Sequence, residues 1–104
     1  MLISTTPTIA GKKIVKQLGL AKGNTIRARH IGRDIMALLR HIVGGEITDY
    51  AKMMAESREQ ALDRMREDAK KMGANAVVGL DFSTSMIMGG ASEILAYGTA
   101  VVVE

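Results

Sequence analysis

Two histidines, eight methionines and a small set of carboxylates hold most of the chemistry open to this chain of 104 residues. Imidazole and carboxylate together ligate borderline metals, and thioethers suit soft Cu(I). His30 and His41 stand eleven residues apart. On a continuous helix they would share a face but lie about 16 Å apart at 1.5 Å per residue, too far for one ion. His30 and Asp34, four apart, form half a site or a surface contact. His41, near the end of its helical pattern, suits the negative end of a helix dipole when protonated. These three residues are the metal-ligand candidates. Met53 and Met54 are adjacent, and Met86 and Met88 alternate on one strand. Methionine is also an adaptable core filler, the use expected in a chain with only Phe82, Tyr50 and Tyr97 as aromatics. Asp81, Ser83 and Ser85 alternate along one predicted strand and would repeat around a ring axis, where they could line an ion or small-ligand site or simply hold water.

Other chemistries find no support. No cysteine is present, which removes disulfides, thiolate metal sites and thiol nucleophiles. No G-x-S-x-G, G-x-G-x-x-G or P-loop pattern occurs, so no catalytic residue is assigned and an enzyme is not expected. No apolar stretch approaches the roughly 20 residues of a membrane span, and "MLISTTPTIAGKK" lacks a secretory signature. The expectation is a soluble, cytoplasmic protein of one domain over residues 1–104. The net charge of +3 hides an asymmetry. Residues 1–45 carry eight basic side chains and one acid, whereas residues 46–104 carry six basic and ten acidic ones. Without a nucleic-acid motif, contact between the basic half of one copy and the acidic half of another is the preferred reading.

These residues are positioned by a short list of elements. "KIVKQLGLA" at 13–21 reads as a strand, "KGN" at 22–24 as a turn and "TIRAR" at 25–29 as a second, short strand. Ile31, Ile35, Leu38, Leu39 and Ile42 form an apolar helical stripe that Gly44 and Gly45 terminate. A longer helix follows, with Thr48 as N-cap and Glu46 and Asp49 suited to its positive N-terminal end. Tyr50, Met54, Ala61, Met65 and Met72 mark its apolar face. Gly73 closes it, and "SREQ" at 57–60 allows a break near Ser57.

The remainder reads as a hairpin about Gly89-Gly90. Pairing about that turn sets Met86 opposite Glu93, Thr84 opposite Leu95 and Phe82 opposite Tyr97. One face then carries Val78, Leu80, Phe82, Met86, Met88, Leu95, Tyr97, Val101 and Val103 for the helices. The other carries Val77, Gly79, Asp81, Ser83, Ser85, Ile87, Ile94, Ala96, Gly98, Ala100 and Val102. A face of small, mostly uncharged residues is expected to meet another sheet or subunit.

"STTPTIAGKKI", "GRDIMALLRHIVGGE", "YAKMMAESREQALDRMREDAKKMGANAVVGLDF" and "GTAVVV" resemble the YbjQ-like family, which carries a heavy-metal-binding designation. The resemblance covers nearly the whole chain. It implies an α+β subunit with an antiparallel sheet and one short and one long helix, similar to the dodecin subunit, assembled as a cyclic homo-oligomer of five. It implies no established activity. Metal binding is its most concrete suggestion; carriage of a flat organic molecule such as a flavin, by analogy with dodecin-like architecture, is the alternative. Neither histidine matches a residue of the family pattern. The matched polar residues, Arg33, Asp34, Tyr50 and Arg58, read together with Gly44, Gly45, Gly79, Asp81 and Gly98 as structural and interfacial positions.

Overall fold

The computed structural model describes residues 1–28, 46–88 and 91–104. Its elements are β1 (Leu2–Ile3), β2 (Ile14–Ala28), the helix α1 (Glu46–Lys71), β3 (Ala76–Met88) and β4 (Ala91–Val103). The four strands form one sheet in the order β1-β3-β4-β2. β4 pairs antiparallel with both β2 and β3, while β1 runs parallel to β3. The sheet is therefore mixed, which corrects the expectation of a purely antiparallel one; the difference lies in the N-terminal pair Leu2–Ile3, too short to be recognised in the sequence. The expected short helix, with His30, Arg33, Asp34, His41, Gly44 and Gly45, falls outside the described residues.

The first half also differs from expectation. Residues 14–28 make one strand without a turn at 22–24, and it pairs with β4 along its whole length. Gly23 suggested the turn, but its role is steric. A Cβ built there would stand 2.2 Å from the Met65 nitrogen, 2.4 Å from the Ala61 oxygen and 2.6 Å from the Arg64 carbonyl carbon. The absence of a side chain lets the helix backbone rest directly on the strand.

α1 is continuous through Ser57. The predicted break does not occur, because Ser57 belongs to the seam facing the sheet. Ser57, Ala61, Met65 and Ala69, four residues apart, are all fully buried. The Thr25 hydroxyl donates to the Ser57 carbonyl from the strand below. The helix closes on a Schellman arrangement: the Gly73 N–H donates to the Lys70 carbonyl and the Ala74 N–H to the Ala69 carbonyl.

The seam packs on Ala21, Val77, Ile94, Ala96 and Ala100, flanked by Leu18, Met54, Leu62, Met72 and Leu80. The small-residue face of β4 is thus the seat of the chain's own helix. This corrects its assignment to another subunit, and the physical reason is register. Met86 lies opposite Ser92, Thr84 opposite Ile94 and Phe82 opposite Ala96. That is one residue away from the pairing read about Gly89-Gly90, and a one-residue slip exchanges faces between strands. A bulge between Val78 and Asp81 shifts the faces again within β3; Gly79 lies in it with φ 65. A second, smaller core of Ala76, Val78, Val101 and Val103 lies on the far side of the sheet under Ile9 and Ile14.

Candidate functional site

The sheet face away from α1 gathers the polar residues singled out in the sequence. Asp81, Ser83 and Ser85 lie there opposite Tyr97, Leu95 and Glu93. They share that face with Leu20, Lys22, Asn24 and Ile26 of β2, whose partners on β4 are Thr99, Tyr97, Leu95 and Glu93. They are therefore not on the small-residue face predicted for them. The Asp81 carboxylate accepts the Phe82 N–H at 2.8 Å and the Tyr97 hydroxyl at 3.5 Å. The Asn24 amide donates to Glu93 at 3.0 Å. All of Asp81 to Ser85 is exposed. The row is a hydrated polar strip with an ionic group near each end, Asp81 and Glu93.

Apolar side chains left uncovered surround this strip. Leu20 is 60% exposed and Ile26 59%, both on the face away from the helix. On the helix side, α1 lies over β2 and β4, so Phe82 and Met86 of β3 remain 40% and 78% exposed beside it. Sequence reasoning placed Phe82 and Met86 in the core. Their exposure follows from the same register slip, which pairs them with Ala96 and Ser92 beyond the flank of the helix.

The remaining candidates separate from this surface. Arg58, expected at a structural or interfacial position, is exposed on α1; the neighbouring Ser57 occupies the buried seam. Tyr50 lies in the first turns of α1. Gly98 is buried on β4 against Val77, whose Cγ1 would be 2.6 Å from an added Cβ. On the solvent side of α1, Lys52, Glu56, Glu59 and Asp63 border a shallow depression of about 390 Å³. Its carboxylates are exposed, with Asp63 held by Arg66 at 2.9 Å. Among the described residues, no three His, Asp or Glu side chains converge as metal ligands. A metal site would have to draw on residues outside them or on a second copy.

The family model whose description reads "Putative heavy-metal-binding" matches residues 1–104, the whole chain. The chain belongs to the YbjQ family. The UPF0145 protein of Methanosarcina acetivorans is 64% identical over 101 residues, covering 97% of this chain and 95% of that one. A UPF0145 protein of Dehalococcoides mccartyi strain BAV1 is 61% identical over the full length of both. A UPF0145 protein of Pyrococcus furiosus is 59% identical, covering all of this chain and 91% of its own. The crystal structure of a DUF74-family protein of unknown function from Pediococcus pentosaceus superposes with a TM-score of 0.65 at 17% identity, covering 100% of this YbjQ-family chain and 98% of that one. That likeness establishes a shared fold.

Proposed function

We propose that this YbjQ-family chain is the subunit of a cytoplasmic, cyclic homo-oligomer that binds a small ligand between subunits, and that the ligand is a metal ion. The observation that carries the reading is apolar surface left bare on both sheet faces: Leu20 and Ile26 on one, Phe82 and Met86 on the other. Exposed apolar side chains grouped on a regular sheet support an interaction surface. The shape agrees. The Cα radius of gyration is 17.0 Å, against about 13 Å for a compact domain of ~100 residues.

The family description supports a metal as ligand. The described residues of one subunit assemble no such site, so the reading places it where copies meet. Resemblance to dodecin-like architecture supports a ring, with five as the subunit number. Native mass spectrometry of freshly purified protein, with elemental analysis and an absorbance scan, tests the whole reading. A ring with stoichiometric metal is the expected result. A ring carrying a coloured organic molecule would favour the flat-ligand carrier, and a monomer at micromolar concentration would overturn oligomeric binding altogether.

A further inference from the structure

Positive charge gathers at the end of the sheet away from the β3–β4 turn. Ile14 of β2 pairs there with Val103 of β4, and Lys13 exchanges both backbone bonds with Glu104. Lys12, Lys13 and Lys16 all lie within two residues of Ile14. α1 ends at the same place. The Met72 methyl lies 3.5 Å from a Cβ built on Gly19 of β2, and Lys70 and Lys71 belong to the last helical turn. All five lysines are exposed. Among the described residues, no carboxylate lies within ion-pair distance of any of them. The acids nearby are Glu104, Glu67 one turn back on α1, and Asp68, which is taken by the Lys22 N–H.

The fold holds these lysines in place. Ile9 and Ile14 pack on the small core of Ala76, Val78, Val101 and Val103, and the Lys12 N–H donates to the Ile9 carbonyl at 3.1 Å. The turn that carries Lys12 and Lys13 is therefore anchored on both sides. Apolar side chains stand among the charges. Val15, between Lys13 and Lys16, is 45% exposed, and Leu2, which pairs with Ala76 at this end, is 46% exposed. Four strands make the end about 15 Å across. Residues 29–45 are too short to cover it. They leave from Ala28, paired with Ala91, and rejoin at Glu46, both towards the other end. The path along β2 and back along α1 is about 80 Å, whereas residues 29–45 fully extended span about 60 Å.

We propose that this end of the subunit docks on the surface of an anionic lipid bilayer. Each lysine brings a compact ammonium group on a long aliphatic stem, which reaches a headgroup while the stem lies along apolar surface. A negative membrane surface attracts such residues one by one. Leu2 and Val15 enter between the headgroups and add apolar contact. A nucleic acid fits this end less well. No arginine and no aromatic ring stands among these residues to fork onto phosphates or stack on bases. Among the described residues, no helix is long and apolar enough to cross a membrane; the contact lies on the bilayer surface.

Flotation of the full chain with lipid vesicles tests this. Phosphatidylcholine vesicles containing about one third phosphatidylserine are expected to bind it at least ~10-fold more strongly than pure phosphatidylcholine. Lys12→Gln and Lys13→Gln together should weaken that binding ~25-fold, at roughly fivefold per lysine. Val15→Ser should weaken it about two- to threefold through lost apolar contact. Lys52→Gln, at an exposed lysine of α1 outside this end, should leave it unchanged, and circular dichroism checks that each variant folds. Equal binding to both vesicles, binding to neither, or a double lysine variant that binds like wild type overturns the proposal. So does a mixed-sequence single-stranded RNA that binds through Lys12 and Lys13 while anionic vesicles do not.

Discussion

Replacing Gly23 with alanine separates packing from conformational preference more cleanly than any other single change in this chain. Gly23 lies in mid-strand and is not among the glycines with positive φ. Backbone preference alone therefore favours alanine, which narrows the unfolded ensemble and would stabilise the protein by about 0.4–1 kcal/mol. Sterics oppose it. The added methyl would sit 2.2 Å from the Met65 nitrogen and 2.4 Å from the Ala61 oxygen. α1 would have to retreat by about 1 Å to restore ordinary contact, because the obstacles are backbone atoms with no rotamer to change. That movement loosens the seam at Ala21, Ala61, Met65 and Ala69, all fully buried. Overpacking costs about 1–3 kcal/mol, and the upper end applies where nothing can give way. At roughly 4–8 °C per kcal/mol in a domain near this size, the melting temperature should fall by on the order of 12–24 °C. Thermal melts at one fixed protein concentration are the assay, since assembly shifts the midpoint by mass action. Gly11→Ala is the control. It has φ 77 and nothing within 4 Å of the added methyl, so it reports backbone strain alone, about 1 kcal/mol. A Gly23→Ala protein that melts at or above wild type would refute the close helix–strand contact.

Other consequences are simpler to state. Thr25→Val should cost about 1 kcal/mol in urea unfolding, because the buried hydroxyl bond to the Ser57 carbonyl is lost without a change of volume. Ala96→Lys should abolish cooperative unfolding of the subunit itself, since Ala96 is fully buried in the helix-facing core and an ammonium there finds no partner; a folded, soluble variant would contradict the placement of that face. Asp68→Ala should lower stability by about 0.5–1.5 kcal/mol by freeing the Lys22 N–H at the β2 edge, and the Lys22 amide should exchange faster. His41→Ala should leave calorimetric Zn²⁺ affinity within about threefold, because its spacing from His30 gives it no second imidazole within one chain; a loss near a hundredfold would make His41 a ligand.

The parts of the fold legible in the sequence are those encoded by local periodicity. The apolar spacing of Met54, Ala61, Met65 and Met72 predicts a helical face whose centre, Ala61 and Met65, is fully buried, and Gly73 marks its end with the expected αL cap. The hairpin is legible as two alternating strands. What failed depends on contacts between distant residues. Gly23 looks like a turn residue by composition, and only the approach of Met65, some forty positions later, explains it. The register of β3 on β4 was read from the Gly89-Gly90 pair, and nothing local reveals that pairing runs one residue away from that reading. The bulge at Gly79 is equally silent, because its cause is the N-terminal segment bonding to Gly79 and Leu80 from the far end of the chain. Of the site residues, Asp81, Ser83 and Ser85 were legible as a polar row, but their face was not.

The one-residue slip moves more than a pairing table. With the small face read as an interface, Gly98 and Ala100 would meet a neighbour and Phe82 would fill the core. With the observed register, Ala96 and Ala100 seat α1, and their small size is what lets a helix backbone lie close to the sheet. The bulk that a larger residue there would supply is then missing from the interior. Phe82 and Met86, which are large, lie past the flank of the helix on β3 instead. The chain thus places small residues where its own parts meet and leaves large apolar ones exposed past the flank of the helix. A subunit built to be complete alone would show the reverse distribution, because Phe82 at 40% and Met86 at 78% exposure each forfeit part of the roughly 1.5–3 kcal/mol that full burial supplies.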